Sequence, residues 1–212
     1  MGFTIEGFDS ITTARELSRR SRFASRLLWQ NKNYYLIPSI APLVEGHLLL
    51  LPQRHYCSLA AGYAFDSEDF DEAFSFAHRY LALSYCRPII FEHGSGVISG
   101  GASTVEYAHL HLLPVEPHYQ QKIFSVIWND LSPEYCHPLH RTLSQLPNDR
   151  AYLLCGNISQ VVYSEVKTLP SQYMRRVVAE VLKLDSWDWR EMGNWDLFDR
   201  TIDKFRSDSQ QE

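Results

Sequence analysis

The stretch VEYAHLHLLP, residues 105–114, places two histidines two positions apart in an apolar run with the composition of a β-strand. Successive side chains of a strand point to opposite faces, so Tyr107, His109 and His111 share one face, opposite the intervening alanine and leucine. The two imidazoles therefore converge on one site. A core strand with merely hydrogen-bonded histidines is the alternative, and further histidines in GHLLLLPQRH (46–55) and FEHG (91–94) make it less favoured.

Strand and helix signals around this stretch predict an α+β fold. RLLWQ (26–30) and YYLIPS (34–39) indicate two strands joined by a turn, and GHLLLLP (46–52) indicates a buried strand. DSEDFDEAFSFAHRYLALSYC (66–86) opens with a capping pair and repeats apolar residues at helical spacing, which predicts a long helix. PIIFEHG (88–94) and EYAHLHLLP (106–114) complete a group of about five strands.

The remaining sequence predicts a C-terminal α/β extension, residues 119–212, packed on a first unit of residues 1–118 that begins with a helical lead. YLLCGN (152–157) and QVVYSEV (160–166) indicate a hairpin. PSQYMRRVVAEVL (170–182) predicts a helix starting at Pro170, and NWDLFDRTIDKF (194–205) predicts a last amphipathic helix. We expect no independently folding second domain, because no linker separates the two parts.

Composition excludes several classes of protein. The chain has 212 residues and a net charge of −5, which argues against a sequence-independent nucleic-acid binder, since such a protein needs a basic surface. No run approaches the ~18 apolar residues of a membrane-spanning helix, and the first residues lack an apolar signal core. We therefore expect a cytoplasmic protein with free cysteines, no nucleic-acid partner and no membrane partner.

A metal site is the main chemical alternative, because histidines two apart on a strand can share one ion, as in cupin barrels. Glu116 stands at a tolerable distance after His111. However, the flanking glycines of a cupin strand are missing, the composition is too helical for a β-barrel, and Pro114 should end the strand before Glu116. CHPLH (136–140) has metal-ligand character without a second paired half. The sequence favours a site with no metal and no cofactor.

Several stretches, in order, resemble the histidine triad (HIT) superfamily, whose signature is His-x-His-x-His followed by apolar residues. They are PSIAPLVEGHLLLLPQRHY (38–56), FEHGSG (91–96), the Gly/Ser-rich loop and YAHLHLLP (107–114). Their amino-acid sequence is most similar to that of bacterial HIT-like proteins with a HAHLH-type strand. The likeness spans about Arg26 to Pro114. It implies a HIT-like fold, with an antiparallel sheet of about five strands and a long helix, and a small-molecule nucleotide as substrate. Because many family members pair, it leaves a homodimer open.

The resemblance also implies a role for each residue at a matching position. His109 corresponds to the nucleophile that attacks the α-phosphate of a nucleotide, His111 to the third histidine, and His47 to the upstream histidine that helps to hold the phosphate. The remaining nucleotide or phosphate contacts would be Thr104 and Ser103 in the Gly-rich loop, Ser39 where many members have an acidic residue for the ribose, and Glu92 and His93 at the rim.

Tyr107 departs from the family pattern because it occupies the position of the first histidine. A phenol titrates near pH ~10, so it can orient the nucleophile or contact a phosphate oxygen only as a neutral group. Two functions follow. The chain is either a nucleotide hydrolase or nucleotidyltransferase acting on a dinucleoside polyphosphate, a nucleoside phosphoramidate or a similar conjugate, or a nucleotide-binding or regulatory protein with weak or no catalysis. The three retained histidines favour the enzyme, because a binder would not need the nucleophile.

Overall fold

The computed structural model describes residues 26–95, 107–135, 138–146, 148–166, 169–191 and 193–210. Three sequence predictions lie outside these ranges: the N-terminal helical lead, the Gly-rich loop with Ser103 and Thr104, and the pair Cys136 and His137.

The described strands form one sheet in the order β1-β2-β3-β5-β4-β7-β8-β6, in which all neighbours are antiparallel. The predicted count of about five strands is too low. The first five strands match the predicted ones, but β7 pairs along the outer edge of β4, so the strands of the C-terminal part continue the sheet instead of leaving that edge unpaired. The strands are β1 (Trp29–Gln30), β2 (Tyr34–Pro38), β3 (Leu48–Pro52), β4 (Pro88–Gly94), β5 (Leu110–Pro114), β6 (Glu134–Tyr135), β7 (Tyr152–Gly156) and β8 (Val161–Glu165).

Five helices lie within the described residues: α1 (Leu59–Ser84), α2 (Pro117–Leu131), α3 (Leu139–Gln145), α4 (Tyr173–Leu182) and α5 (Trp195–Asp208). The long helix starts before the predicted Asp66, because the Ser58 side chain caps it by accepting from the N–H of Ala61, and Asp66 is a kink inside it. Helix α4 starts after the predicted Pro170, because Gln172 adopts a left-handed conformation with φ of 58°. Sequence reasoning missed α2 altogether.

The sheet buries both of its faces. Leu48, Leu50, Leu110 and Leu112 point to the face that packs against α1, where they join the larger apolar core. Neighbouring residues of the same strands point to the opposite face, part of which is covered by α2 and α4. The stretch 107–111 therefore presents its odd-numbered residues to this second face, which positions the candidate site.

Helix α1 uses its predicted apolar residues, Phe70, Phe74, Ala77 and Leu81, inside the chain's own core. A homodimer remains a prediction. Among the described residues, no helix combines the length and apolar character needed to cross a membrane.

Candidate functional site

The structure brings His47, His109 and His111 together on the second face of the sheet. His111 lies in β5, where its register partners are Leu49 on β3 and Phe91 on β4. Its ring stacks on Phe91 with 4.3 Å between centroids, and the centroids of His109 and His47 are 4.8 and 5.1 Å from it. The alternation of strand side chains predicted this convergence.

Hydrogen-bond donors fix the tautomers of His47 and His111. The backbone N–H of Leu43 donates to Nδ1 of His47 over 3.2 Å, so this nitrogen is bare and Nε2 carries the hydrogen of the neutral ring. Nε2 of His47 lies 2.9 Å from Nδ1 of His111 and therefore donates to it. His111 consequently carries its own hydrogen on Nε2, which is available to an acceptor such as a phosphate oxygen.

The tautomer of His109 follows from a backbone carbonyl. Nδ1 of His109 lies 2.7 Å from the carbonyl oxygen of Tyr107, and a carbonyl can only accept, so Nδ1 carries the hydrogen. In the neutral ring Nε2 is then the nitrogen without a hydrogen. Such a nitrogen of a neutral imidazole is basic and can act as a nucleophile.

The surroundings keep these rings neutral near pH 7. Burial lowers the pKa of His47 and of His111 well below the usual value, and the charge of Arg175, together with that of His109 once the pH is low enough to protonate it, lowers the pKa further. Burial also lowers the pKa of His109, an effect opposed by the bond to Tyr107 and reinforced by Arg175. Neutral rings can act as nucleophile and as hydrogen-bond donors without first losing a proton.

His93 lies on the same face, at the end of β4. Continuing the register that pairs Phe91 with His111 places His93 opposite His109. Burial, followed by the charge of His109, lowers the pKa of His93 to about 3. Its Nε2 is buried and has no hydrogen-bond partner among the described residues. The predicted rim residue is therefore an additional neutral imidazole beside His109.

Tyr107 lies on the predicted face, but its phenol is engaged elsewhere. The hydroxyl donates to the backbone carbonyl of Pro52 over 2.6 Å, and the ring packs with Ile37, Leu49 and Leu51. Its backbone carbonyl is the group that orients His109. The tyrosine side chain therefore holds the strand ends together, whereas the main chain at this position orients His109.

Ser39 lies close to the site histidines, whereas Glu92 lies on the opposite face of the sheet. Ser39 is buried next to His47, whose carbonyl accepts from the Ser39 N–H over 3.0 Å. Glu92 points to the other face of the sheet, because it lies between Phe91 and His93 on the strand. There its carboxyl group accepts from the N–H of Leu59 at 2.7 Å and the hydroxyl of Tyr152 at 2.6 Å. The expectation of Glu92 at the phosphate rim is corrected accordingly, and its role is to cap α1.

Arg175 was missed by sequence reasoning. This buried residue of α4 donates from Nε to the carbonyl of Trp187 over 2.8 Å and from Nη2 to the carbonyl of Ala41 over 2.9 Å. The signal in the sequence is an arginine on the apolar side of a helix, next to Met174 and three residues before Val178. A charged residue at such a position needs buried partners, but the sequence alone does not say which.

The described residues include no group of three or more His, Cys, Asp or Glu side chains arranged to hold a metal ion. Glu116, the acid of the metal alternative, is an exposed residue that precedes α2, beyond the end of β5 at Pro114. The predicted end of the strand at Pro114 is confirmed.

No family model matches the chain, and no curated protein matches it. A similar solved structure is the crystal structure of a Hit-like protein involved in cell-cycle regulation from Bartonella henselae with unknown ligand. That protein is 17% identical to this chain, and the match covers 52% of this chain and 84% of the other with a TM-score of 0.37.

The fold and the site together define an α+β protein with an antiparallel sheet and a half-buried cluster of imidazoles, in which His47 is fully buried and His93, His109 and His111 are partly exposed.

Proposed function

We propose that this protein is a HIT-type nucleotide hydrolase or nucleotidyltransferase that attacks the α-phosphate of a nucleotide conjugate with His109. The observation that supports this most is the 2.7 Å bond from Nδ1 of His109 to the Tyr107 carbonyl, which orients the ring and places its hydrogen on Nδ1, so that Nε2 is the basic nitrogen.

The proposed reaction has two steps. In the first, the lone pair on Nε2 of His109 forms a bond to the α-phosphorus, the bond to the leaving group breaks, and the leaving group departs with its electron pair and takes a proton from solvent. In the second, water or another acceptor attacks the same phosphorus and releases its proton to solvent, and the imidazole leaves with the electron pair of the P–N bond. Hydrolysis then releases a nucleoside monophosphate and restores His109.

Neighbouring groups would stabilise the phosphate during both steps. The Nε2–H of His111, held by the relay from His47, can donate to a non-bridging oxygen, and a ring N–H of His93 can do the same. The positive charge of Arg175, which already lowers the pKa of all three site histidines, favours the negative charge that develops on these oxygens. Thr104, Ser103 and Ser39 remain proposed nucleotide contacts.

Tyr107 is the observation that favours a second candidate, a nucleotide-binding or regulatory protein with weak or no catalysis. Its hydroxyl is bonded to Pro52, so the position that has an imidazole in the family pattern supplies no group that titrates near neutral pH here. A binder would keep the phosphate donors of His111 and His93 and would not turn over bound nucleotide.

Incubation with dinucleoside polyphosphates and nucleoside phosphoramidates, with nucleoside monophosphate release measured by chromatography, separates the two candidates. The enzyme hypothesis predicts release by the wild type, loss of release in His109→Asn, and nucleotide binding by calorimetry in both proteins. Binding without release in the wild type would support the regulatory candidate. Equal release by wild type and His109→Asn would contradict the mechanism.

A further inference from the structure

We infer that helices α4 and α5 hold residues 41–46, called here the 41–46 loop, and thereby fix the tautomers of the His47–His111 pair. The consequence for turnover rests on the proposed function, whereas the consequence for the tautomers does not. The C-terminal part of the chain would then be a positioning element of the site, although it contributes none of the site histidines.

Four contacts join this loop to the C-terminal helices. The guanidinium of Arg175 donates to the carbonyl of Ala41 at 2.9 Å, and the side-chain amide of Asn194 donates to the carbonyl of Pro42 at 3.0 Å. At the other end of the loop, the N–H of Gly46 donates to the hydroxyl of Thr201 at 2.9 Å. Arg200 forms an ion pair with Glu45 at 3.1 Å.

The loop controls His47 through its backbone. Leu43 follows the two carbonyls that α4 and α5 hold, and its N–H is the donor to Nδ1 of His47. The N–H of His47 in turn donates to the carbonyl of Val44 at 3.2 Å, which closes a tight turn. Fixing Ala41, Pro42 and Gly46 therefore fixes the direction of the Leu43 N–H.

Gly46 makes this turn intolerant of rearrangement. Its φ is +78°, and a Cβ at this position would approach the ring of Tyr85 and Cγ of Pro114 to 2.9 Å. The chain enters β3 through a conformation that suits glycine and leaves no space for an alternative side chain. A displacement of the residues that contact the loop should therefore also displace the loop backbone next to His47, because the tightly packed turn cannot adjust locally.

The position of the 41–46 loop affects the chemistry of the site through the tautomers of His47 and His111. If the Leu43 N–H no longer pointed at Nδ1 of His47, that nitrogen could carry the hydrogen and Nε2 would become an acceptor. His111 would then have to donate from Nδ1 and would present a bare Nε2 to the phosphate. A lone pair facing an anionic oxygen is repulsive, so the reversed relay would lose a donor in the transition state.

An arginine at position 175 holds the 41–46 loop better than a lysine would. Its planar guanidinium donates to Ala41 and to Trp187 at the same time, so it links the loop to the segment after α4. Its charge lies close enough to the site to lower the pKa of the three histidines, which keeps the rings in the neutral form that the relay needs.

The direct test is ¹⁵N NMR of the histidine rings in the full, substrate-free chain. The protonated and bare nitrogens of a neutral imidazole have distinct shifts, so the tautomer of each ring can be measured without any activity. The variants are Thr201→Val, Asn194→Ala and Arg175→Met, each of which removes a loop contact. Matched controls are Ser207→Ala on α5 and Arg176→Met, which removes an exposed guanidinium beside Arg175.

We expect the wild type and both controls to show His47 and His111 protonated at Nε2. The loop variants should show mixed tautomers at both rings, and in an active enzyme kcat should fall about ten- to a hundredfold with little change in KM, the effect of misplacing a reacting group. Arg175→Lys should recover part of the loss of Arg175→Met. Should Arg175→Met fail to fold, Thr201→Val and Asn194→Ala decide, because neither removes a buried charge: Thr201→Val removes the bonds to Gly46 and to the Leu197 carbonyl, and Asn194→Ala removes the bond to Pro42.

Unchanged tautomers in folded Thr201→Val and Asn194→Ala would overturn the inference. If the loop variants show changed tautomers but the wild type does not turn over nucleotide, the inference is supported and only the proposed function is contradicted. Turnover that falls equally in the loop variants and in the two controls, with constant tautomers, would also overturn it.

Discussion

The Nδ1–H of His109 donates to the backbone carbonyl of Tyr107, a bond between the nucleophile candidate and the main chain two residues earlier. Any residue at position 107 that keeps the same backbone would supply this acceptor. A tyrosine at position 107, where the HIT pattern has a histidine, is therefore compatible with a well-oriented His109.

Tyr107→Phe should leave turnover nearly unchanged. The Tyr107 carbonyl remains in place, and only the hydroxyl bond to Pro52 is lost, which should cost about 0.5–1.5 kcal/mol of unfolding free energy. Steady-state kinetics and urea unfolding of both proteins measure the two effects. A fall in kcat of about one to two powers of ten at unchanged stability would instead show that the phenol acts on the reaction, as a direct bond to a charged phosphate would require.

The acid limb of the kcat/KM profile should lie below pH 6.5. The nucleophile must be neutral, and burial lowers the pKa of His109 from 6.5, so protonation that stops the reaction requires a lower pH than an exposed histidine would. Rates measured with one substrate across the acid range, with folding monitored at each pH, test this. An acid limb above 6.5 would contradict the neutral imidazole cluster.

Glu92→Gln should change how stability depends on pH. Burial raises the pKa of Glu92 from 4.5 to about 8, so between these values the unfolded chain releases a proton that the folded protein keeps. The unfolding free energy contributed by this group is therefore fully present below pH 4.5 and is lost as the pH rises through about 8.

The clearest window for Glu92 lies between pH 6.5 and 8, where the site histidines, whose pKa values are lowered from 6.5, are neutral in the folded protein. Urea unfolding across this window should give a stability that falls with pH in the wild type and falls less in Glu92→Gln. Parallel curves for the two proteins would show that Glu92 is already ionised in the folded state.

Turnover should survive treatment with EDTA. Attack by an imidazole needs no metal-bound hydroxide, so chelation should change the rate by less than about twofold, whereas a metal hydrolase would lose its nucleophile. The assay compares EDTA-treated protein, before and after addition of single divalent ions, with untreated protein. Loss on chelation that one specific ion restores would favour the metal alternative.

Strand periodicity was enough to predict the centre of the site from sequence. Alternation placed Tyr107, His109 and His111 on one face, and the apolar run after His47 predicted β3. The same rule, applied to FEHG, would have separated Glu92 from His93, but the resemblance placed both at the rim. At this strand, the alternation of side chains therefore predicts the positions of Glu92 and His93 better than the resemblance does.

Contacts between residues far apart in the chain could not be predicted from the sequence. Helix α2 has a proline at its first position and buried Ile123 and Ile127 one turn apart, a signal that was present but was not used. Arg175, by contrast, meets Ala41 across 134 positions of the chain, and no local pattern encodes that pairing. The direction of the Tyr107 hydroxyl towards Pro52 likewise depends on how two strand ends meet.

The most direct measurement is intact mass spectrometry of protein quenched without acid shortly after mixing with a substrate identified in the turnover assay. The account predicts a wild-type species heavier by one nucleoside monophosphate group, located on His109 by peptide mapping and absent from His109→Asn. Turnover by the wild type with no such adduct at any mixing time, together with undiminished turnover in His109→Asn, would contradict it.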